Sequence, residues 1–153
     1  MSKLYMGFDA GTQSVKVAVY DEQFNCLTSH SLPTHLHYPQ PGWVEMSADE
    51  FLEITVKSMA ACAQSLREMG RDPKDVCAVM GDGIICGIVG VNPDGDAVTP
   101  YINYLDSRTT PDVEALNARE LEIWGRETGN PVASPMFPAM FARWFLKNNE
   151  AFN

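Results

Sequence analysis

The sequence is poor in the features that mark disulfide-rich, membrane-spanning and nucleic-acid-binding proteins. Its 153 residues hold four cysteines, which are widely spaced and form no CxxC pair, so neither a disulfide scaffold nor a cysteine zinc site is predicted. No apolar run approaches the roughly 20 residues that span a bilayer. The sequence has 11 Lys and Arg and 20 Asp and Glu, which gives a net charge of −9. That balance argues against nucleic acid or an anionic membrane as partner.

The amino-terminal stretch is too short and too soon interrupted by Asp9 to serve as a signal peptide, so we expect a cytoplasmic protein. In that compartment the cysteines are predicted to be buried free thiols. These are Cys26, Cys62, Cys77 and Cys86. His35 and His37 have no Cys or carboxylate at ligand spacing, which favours a solvated polar surface over a metal site.

The first third of the chain has the pattern of three short strands. Leu4–Phe8 is a nearly continuous apolar run, Val15–Tyr20 alternates with period two, and Cys26–Leu32 follows a polar turn. Two tight turns between three strands predict an antiparallel meander. The 45% hydrophobic content is typical of one globular domain with its own core.

A helix is the strongest local prediction. Ser47 and Glu50 form a capping box, and Gly70 supplies a carboxyl-terminal stop. Between them apolar residues recur at helical spacing and are predicted to face the core. They are Leu52, Val56, Met59, Ala63 and Leu66.

The second half alternates apolar runs with turn residues. The pattern predicts a strand at Val76–Met80, a sharp bend at Gly81–Gly83, a returning strand at Ile84–Val91, a turn at Asn92–Gly95 and an extended stretch at Ala97–Leu105. Thr110 and Pro111 suit a helix start, with helical pattern to about Arg126 and a possible break in the middle. The element order predicts an α/β layered domain with a mixed sheet.

A broad apolar stripe closes the chain. It consists of Phe137, Met140, Phe141, Trp144 and Phe145, and a face so wide needs a large covering surface. One interpretation makes this chain the first part of a larger domain that supplies the cover. The alternative is a complete interaction protein that forms a homo-oligomer through the stripe.

One turn has the chemistry to hold a phosphate. In Asp9-Ala10-Gly11-Thr12-Gln13-Ser14, a glycine-bearing turn after a buried strand can point the amides of residues 10 to 14 at an anion. Asp9 suits such a site when a hydrated Mg²⁺ ion separates it from the phosphate, and Lys16 adds positive charge. The alternative is an ordinary hairpin turn, because Asp, Gly and Thr are common turn residues.

Four segments in order resemble the FGGY carbohydrate kinases, which have the ribonuclease-H-like fold of actin-like ATPases. The stretch from Gly7 to Lys16 is similar to the family's first phosphate loop. Pro41-Gly42-Trp43-Val44-Glu45 is similar to its loop before the first helix. The other two segments are Asn92–Gly95 with Tyr101–Thr109, similar to a hairpin and an Ile-x-Trp-x-Asp-x-Arg strand end, and Thr128-Gly129-Asn130-Pro131, similar to a Thr-Gly-x-Pro turn.

The resemblance implies an ATP-dependent kinase that uses Mg²⁺ to phosphorylate a sugar or polyol held between two domains. Residues 1–153 would be the amino-terminal part of the first domain, with the catalytic Asp and the adenosine-binding domain beyond residue 153. The resemblance assigns MgATP to Asp9, Gly11, Thr12, Gln13 and Lys16, with Asp9 serving the metal. It assigns the sugar to Ile85, Cys86, Tyr104 and Asp106, with Arg108 supporting that wall.

The sugar wall departs from the family pattern. Xylulose kinases tend to carry Gln-Met-His-Gly where this chain has Ile84-Ile85-Cys86-Gly87, and glycerol kinases carry an Arg-Glu pair. Ile85 offers a polyol only backbone groups, and Cys86 is a weak donor. A pentulose such as xylulose is the default substrate. Two alternatives remain open: a plain buried strand at this segment, and a regulatory module that keeps the fold without catalysis.

Overall fold

The structure is a computed structural model that describes residues 3–119 and 122–149. It divides the chain into two compact units. The first comprises Met1–His35 and Asp49–Ile84, and the second comprises Leu36–Ala48 and Ile85–Asn153. Each unit has its own hydrophobic clusters, and each contains one of the two groups of candidate site residues.

The first unit contains a four-stranded mixed sheet built from β1 (Leu4–Ala10), β2 (Ser14–Tyr20), β3 (Cys26–Pro33) and β5 (Val76–Gly83). The strand order is β3-β2-β1-β5. The first three are antiparallel neighbours, and β5 pairs parallel to β1. The predicted meander and mixed sheet are confirmed.

One face of this sheet is covered by α1 (Ala48–Glu68), which begins directly after Ser47 as predicted. Gly70, at φ +74°, follows the end of the helix, and its amide donates to the Arg67 carbonyl. The core joins the helix to alternating residues of the strands. It consists of Leu4, Met6, Ala10, Val15, Val17, Val19, Ile54, Cys62 and Leu66.

The predicted buried face of α1 is partly wrong. Leu52 and Val56 are 64% and 54% exposed, whereas the buried line runs through Ile54, Ser58, Cys62 and Leu66. Two small side chains on this line let the helix approach the sheet closely, with the Cys62 thiol 3.6 Å from the Val17 carbonyl oxygen. Apolar spacing alone did not separate this line from the neighbouring one.

The predicted bend at Gly81–Gly83 is also wrong, because β5 continues through it to Gly83. Gly81 pairs with Phe8, and a Cβ atom at Gly81 would lie 2.1 Å from Cζ of that ring. The glycine therefore provides space for an aromatic ring on the neighbouring strand.

The second unit has little regular strand. Its two-stranded sheet joins β4 (Glu45–Met46) to β6 (Tyr101–Ile102). The predicted strand at Ile84–Val91 is wrong, since only isolated bridges join Ile88 to Ile102 and Val91 to Ala97 among the described residues. The turn at Asn92–Gly95 is confirmed by hydrogen bonds from the Asn92 amide to the Asp96 carbonyl and from the Gly95 amide to the Asn92 carbonyl.

Three helices complete this unit: α2 (Thr110–Asn117), α3 (Glu122–Thr128) and α4 (Pro138–Asn148). The helical pattern predicted to Arg126 is divided between α2 and α3, and residues 120 and 121 of it lie outside the described residues. Phe141 and Phe145 of α4 pack with Ile102, and Met140 packs with Val113 and Ala133. The chain itself buries much of the aromatic stripe. The stripe therefore no longer supports the hypothesis of a homo-oligomer.

The prediction of four buried thiols is wrong for three of them. Cys62 is buried, which raises the pKa of its thiol, but Cys26 and Cys77 are exposed and Cys86 is half-buried. Cys26 begins the outer strand β3, and Cys77 lies on the other outer strand β5. Outer strands leave more of their side chains in solvent. Across residues 3–119 and 122–149, no helix is long and apolar enough to cross a membrane.

Candidate active site

The turn that joins β1 to β2 is at the surface of the first unit. Gly11, Thr12 and Ser14 are partly exposed, and Gln13 is exposed. The Gly11 amide already donates to the Ser14 carbonyl at 3.1 Å, so Gly11 closes the turn. A Cβ atom there would lie 3.1 Å from that same carbonyl oxygen. Gly11 is therefore suited to shaping the turn, and the amides that follow it are the better candidates for an anion.

Thr34, just after β3, holds this turn in place through hydrogen bonds. Its hydroxyl donates to the Thr12 carbonyl at 2.6 Å and to the Gly11 carbonyl at 3.4 Å, and its amide donates to the Gln13 carbonyl at 3.1 Å. The described residues have only trans peptide bonds, and in a trans peptide the N–H points opposite to the C=O. The Gln13 and Ser14 amides therefore point away from Thr34.

Charged side chains stand at the end of β1 beside the turn. Asp9 and Lys16 pair across β1 and β2, with Asp9 Oδ2 3.7 Å from Lys16 Nζ, and both are exposed. Asp82 occupies the position next to Asp9 on β5. Paired residues of neighbouring strands point to the same face, so two carboxylates share this edge.

The uncovered face of the sheet forms an open depression of about 680 Å³ next to these charges. Gly7 and Ala18, a cross-strand pair, leave room because their side chains are minimal. The polar residues of its lining include Asp9, Lys16, Tyr20, Ser29 and Ser31. Exposed carboxylate oxygens are the hard ligands that Mg²⁺ prefers, so Asp9, with Asp82 beside it, fits a hydrated magnesium ion. Within the described chain, no cluster of three or more potential metal ligands occurs.

The second group of candidate residues surrounds a tight bend in the second unit. Cys86 and Gly87 both have positive φ, 66° and 78°, and the preceding Ile85 is 81% exposed. Tyr101 donates its hydroxyl hydrogen to the Cys86 carbonyl at 2.7 Å. The segment is therefore a braced bend rather than the plain buried strand that the sequence left open.

Tyr101 is tied to the predicted wall by its hydrogen bond to the Cys86 carbonyl. Burial, with smaller contributions from Cys86 and Tyr104, raises the pKa of Tyr101 to about 12. The structure thus places one half-buried phenol directly against Cys86 and Gly87.

Asp106 differs from the other predicted sugar ligands because its carboxylate is buried and already engaged. It accepts the Val44 amide at 2.6 Å and two bonds from the Arg108 guanidinium at 2.8 and 2.9 Å. Arg108 also bonds Glu45 at 2.6 Å and lies over the Trp43 ring, 3.7 Å from its centroid. These contacts favour a supporting role for Asp106 and Arg108 over direct contact with a sugar.

The contacts of Asp106 help to hold Tyr104 at the surface. The turn 103–106 closes when the Asp106 amide donates to the Asn103 carbonyl, and the Asn103 amide donates to the Val44 carbonyl. With both ends tied to Val44, the turn presents Tyr104 and Leu105 to solvent, 40% and 51% exposed. A partly exposed phenol on a rigid turn is suited to stacking on a sugar face.

Sequence reasoning missed three residues of these groups: Thr34, Asp82 and Tyr101. Asp82 falls in the predicted bend at Gly81–Gly83, although its place in an apolar strand after a Gly is also a strand-end signal. Thr34 follows Pro33, just beyond the predicted strand at Cys26–Leu32. Tyr101 lies in the predicted extended stretch at Ala97–Leu105, where nothing local marks its role. Their contacts join positions 15 to 73 residues apart, which local patterns do not reveal.

Comparison with known proteins identifies the family of this chain. A family model described as the FGGY family of carbohydrate kinases, N-terminal domain, matches residues 4–152. A glycerol kinase from Geobacter sp. (strain M21) is 30% identical over 145 residues, which cover 92% of this chain and 28% of the relative. The chain therefore spans less than a third of the length of the curated relatives that it matches.

Solved kinase structures have the same fold. The crystal structure of Plasmodium falciparum glycerol kinase with ADP matches with a TM-score of 0.82 and 22% identity, covering 99% of this chain and 30% of that one. Xylulose kinase from Rhodospirillum rubrum matches with a TM-score of 0.84 and 21% identity, covering 98% and 30%. The predicted actin-like ATPase fold is confirmed, and the chain belongs to the FGGY family of carbohydrate kinases, within its N-terminal domain.

Proposed function

We propose that the complete protein containing this chain is an ATP-dependent kinase that phosphorylates a hydroxyl group of a sugar or polyol. The observation that carries the proposal is the exposed turn after β1, with Asp9 and Lys16 beside it and Thr34 behind it. Family membership supports the same reaction class. The chain would form the first part of the kinase's first domain, with the catalytic base and the adenosine site beyond residue 153.

In this proposal the turn binds the phosphate end of ATP. The Gln13 and Ser14 amides donate to phosphate oxygens, and the exposed Lys16 ammonium balances negative charge. The Thr34 bonds hold the amides in position before the nucleotide arrives, which reduces the entropy lost on binding. Most of the catalytic effect in phosphoryl transfer comes from such positioning and charge stabilisation.

Magnesium belongs to the same proposal. Asp9 would hold the hydrated ion, with Asp82 as a neighbouring carboxylate. Bound magnesium supplies charge neutralisation on the phosphates. Without a cation, Asp9 would repel a nucleotide phosphate, and Lys16 offsets only part of that repulsion.

The acceptor would lie against Ile85, Cys86 and Tyr104, with Asp106 and Arg108 behind them. Tyr104 offers an aromatic face and a hydroxyl, whereas Ile85 offers a polyol only its backbone. Relatives include a glycerol kinase and a xylulose kinase, so we keep a pentulose as the default substrate and include polyols.

A direct test measures ADP release by the complete protein with MgATP and one acceptor at a time. The panel should contain glycerol, xylulose, other ketoses, aldoses and sugar acids. We expect at least one acceptor to raise ADP release well above the rate with ATP alone. Mass spectrometry of the product would then identify a sugar phosphate or polyol phosphate.

Asp9→Asn provides the linked variant, and Asp49→Asn provides a matched control on the exposed first turn of α1. We expect Asp9→Asn to lose at least about tenfold in kcat/KM, as changes at metal sites commonly do, and Asp49→Asn to match the wild type. The proposal is overturned if no acceptor is phosphorylated, or if both variants behave alike.

The apolar, exposed Ile85 favours one alternative: a binding or regulatory module that keeps the fold without catalysis. Such a protein would bind a nucleotide or sugar in calorimetry yet transfer no phosphate to any member of the panel. The two functions therefore separate in one pair of measurements on the same preparation.

A further inference from the structure

Cys86 adopts a backbone conformation that disfavours a side chain. Its φ of 66° lies in the left-handed region, where residues other than Gly, Asn and Asp are uncommon. Gly87, which follows at φ 78°, allows the bend to continue. A strained residue persists only when its surroundings hold it, and such residues cluster at functional sites.

Contacts with Tyr101 keep Cys86 in this conformation. Its hydroxyl donates to the Cys86 carbonyl at 2.7 Å. Its ring packs against Gly87, where an added Cβ atom would meet the Tyr101 oxygen at 2.6 Å and the Ile102 carbonyl oxygen at 2.4 Å. Ile88 and Ile102 exchange two backbone hydrogen bonds immediately afterwards, at 3.1 and 2.8 Å.

We propose that Tyr101 is a positioning residue for the acceptor: its hydroxyl bond to the Cys86 carbonyl keeps the strained bend in place and so sets the position of Ile85 and Cys86 on the acceptor wall. This inference rests on the proposed kinase function. Tyr101 itself does not contact the acceptor. It acts through the backbone of Cys86.

The consequence for binding follows from the strain. Without the hydroxyl, Cys86 is free to relax toward negative φ, which redirects Ile85 and the Cys86 side chain. A wall that moves must be reordered by each acceptor molecule, which weakens acceptor binding. The phosphate turn lies in the other unit, so ATP binding should be unaffected.

The first experiment compares Tyr101→Phe with the wild type in the complete protein, using whichever acceptor of the panel is turned over fastest. We expect the KM for that acceptor to rise about fivefold, the equivalent of one hydrogen bond, with the KM for ATP unchanged. Tyr38→Phe is the matched control, because that tyrosine is 67% exposed and outside the wall. A merely structural loss would lower the active fraction and kcat while leaving the acceptor KM unchanged.

The second experiment asks whether Tyr101 acts through the strain at Cys86. Cys86→Ala removes the thiol and keeps the strain, whereas Cys86→Gly removes both. Adding Tyr101→Phe should raise the acceptor KM about fivefold over Cys86→Ala, but less than about twofold over Cys86→Gly. This pair separates backbone strain from loss of the thiol.

Equal effects of Tyr101→Phe in the alanine and glycine backgrounds would overturn the inference, as would an unchanged acceptor KM in the single variant. Both results leave the kinase function standing, because the wild type remains active in them. A wild type that phosphorylates no member of the panel overturns the proposed function and this inference with it.

Discussion

The Thr34 hydroxyl lies 2.6 Å from the Thr12 carbonyl oxygen, so a residue beyond β3 controls the shape of the turn between β1 and β2. Thr34→Val keeps the shape of the side chain and removes this bond. We expect the KM for ATP to rise about fivefold, the equivalent of one lost hydrogen bond, and the acceptor KM to stay unchanged. Thr34→Ser retains the hydroxyl and should stay close to the wild type. Equal ATP affinities for both variants would contradict a role for the hydroxyl.

The adjacent carboxylates of Asp9 and Asp82 lead to a prediction about metal dependence. Asp9→Asn removes the proposed metal ligand, and Asp82→Asn removes its neighbour on β5. The Mg²⁺ concentration for half-maximal activity should rise at least about tenfold for Asp9→Asn and by a smaller factor for Asp82→Asn. Titration of activity with MgCl₂ at saturating ATP measures both. An Asp9→Asn variant with the wild-type magnesium requirement would refute the assignment.

Arg108 should be the costliest ion-pair residue to replace. Its side chain is 2% exposed and bonds both Asp106 and Glu45. Arg108→Met leaves the buried Asp106 carboxylate and the partly buried Glu45 carboxylate without their cation, and it should lower the free energy of unfolding by about 3–5 kcal/mol. Arg108→Lys retains the charge but loses the planar fork, so its loss should be smaller.

Urea denaturation of each variant measures these losses. The matched control is Arg126→Lys, whose pair with Glu127 is largely exposed and whose change should stay within about 0.5 kcal/mol. Similar losses at Arg108 and Arg126 would show that burial of the first pair contributes little.

The raised pKa of Tyr101 predicts a specific loss of stability in alkaline solution. Its pKa rises from the ordinary value of 10.0 to about 12, mainly through burial, so the folded state retains the proton more strongly than the unfolded state. The stability that Tyr101 adds over Phe is full below pH 10 and is lost between pH 10 and about 12.

Urea unfolding of the wild type and Tyr101→Phe at several values between pH 8 and pH 11 tests this sign. We expect the difference between the two proteins to shrink as the pH rises through the upper part of this range. A difference that is constant or grows would contradict it. Tyr38→Phe, at an exposed tyrosine, is the matched control.

Local patterns predicted the first unit well. Apolar alternation and turn residues were enough for β1, β2 and β3, because each of these strands is short and bounded by polar turns. The capping box and Gly70 marked both ends of α1 correctly. The helical period does not show which of two neighbouring lines of α1 residues faces the sheet. That choice depends on Ser58 and Cys62 being small enough for close contact with the sheet.

The errors at Gly81–Gly83 and Ile84–Val91 have one cause. Gly81 looked like a turn because a glycine in an apolar strand has no local explanation, and the ring of Phe8 that needs the space lies 73 residues earlier. Likewise Ile84–Val91 has strand composition, but the bend at Cys86 is maintained by Tyr101. The motifs located the candidate residues in the sequence. Long-range contacts determine which of these residues are buried and support the site, and which are exposed to solvent.

The stacking at Arg108 also provides an optical signal. Trp43 and Trp144, two of the three tryptophans, meet edge to face at 5.3 Å, with the guanidinium 3.7 and 5.0 Å from their ring centroids. A charge held this close shifts the emission of both indoles, so any movement at this position changes the fluorescence of the unlabelled protein. Stopped-flow mixing can therefore follow the cluster in real time.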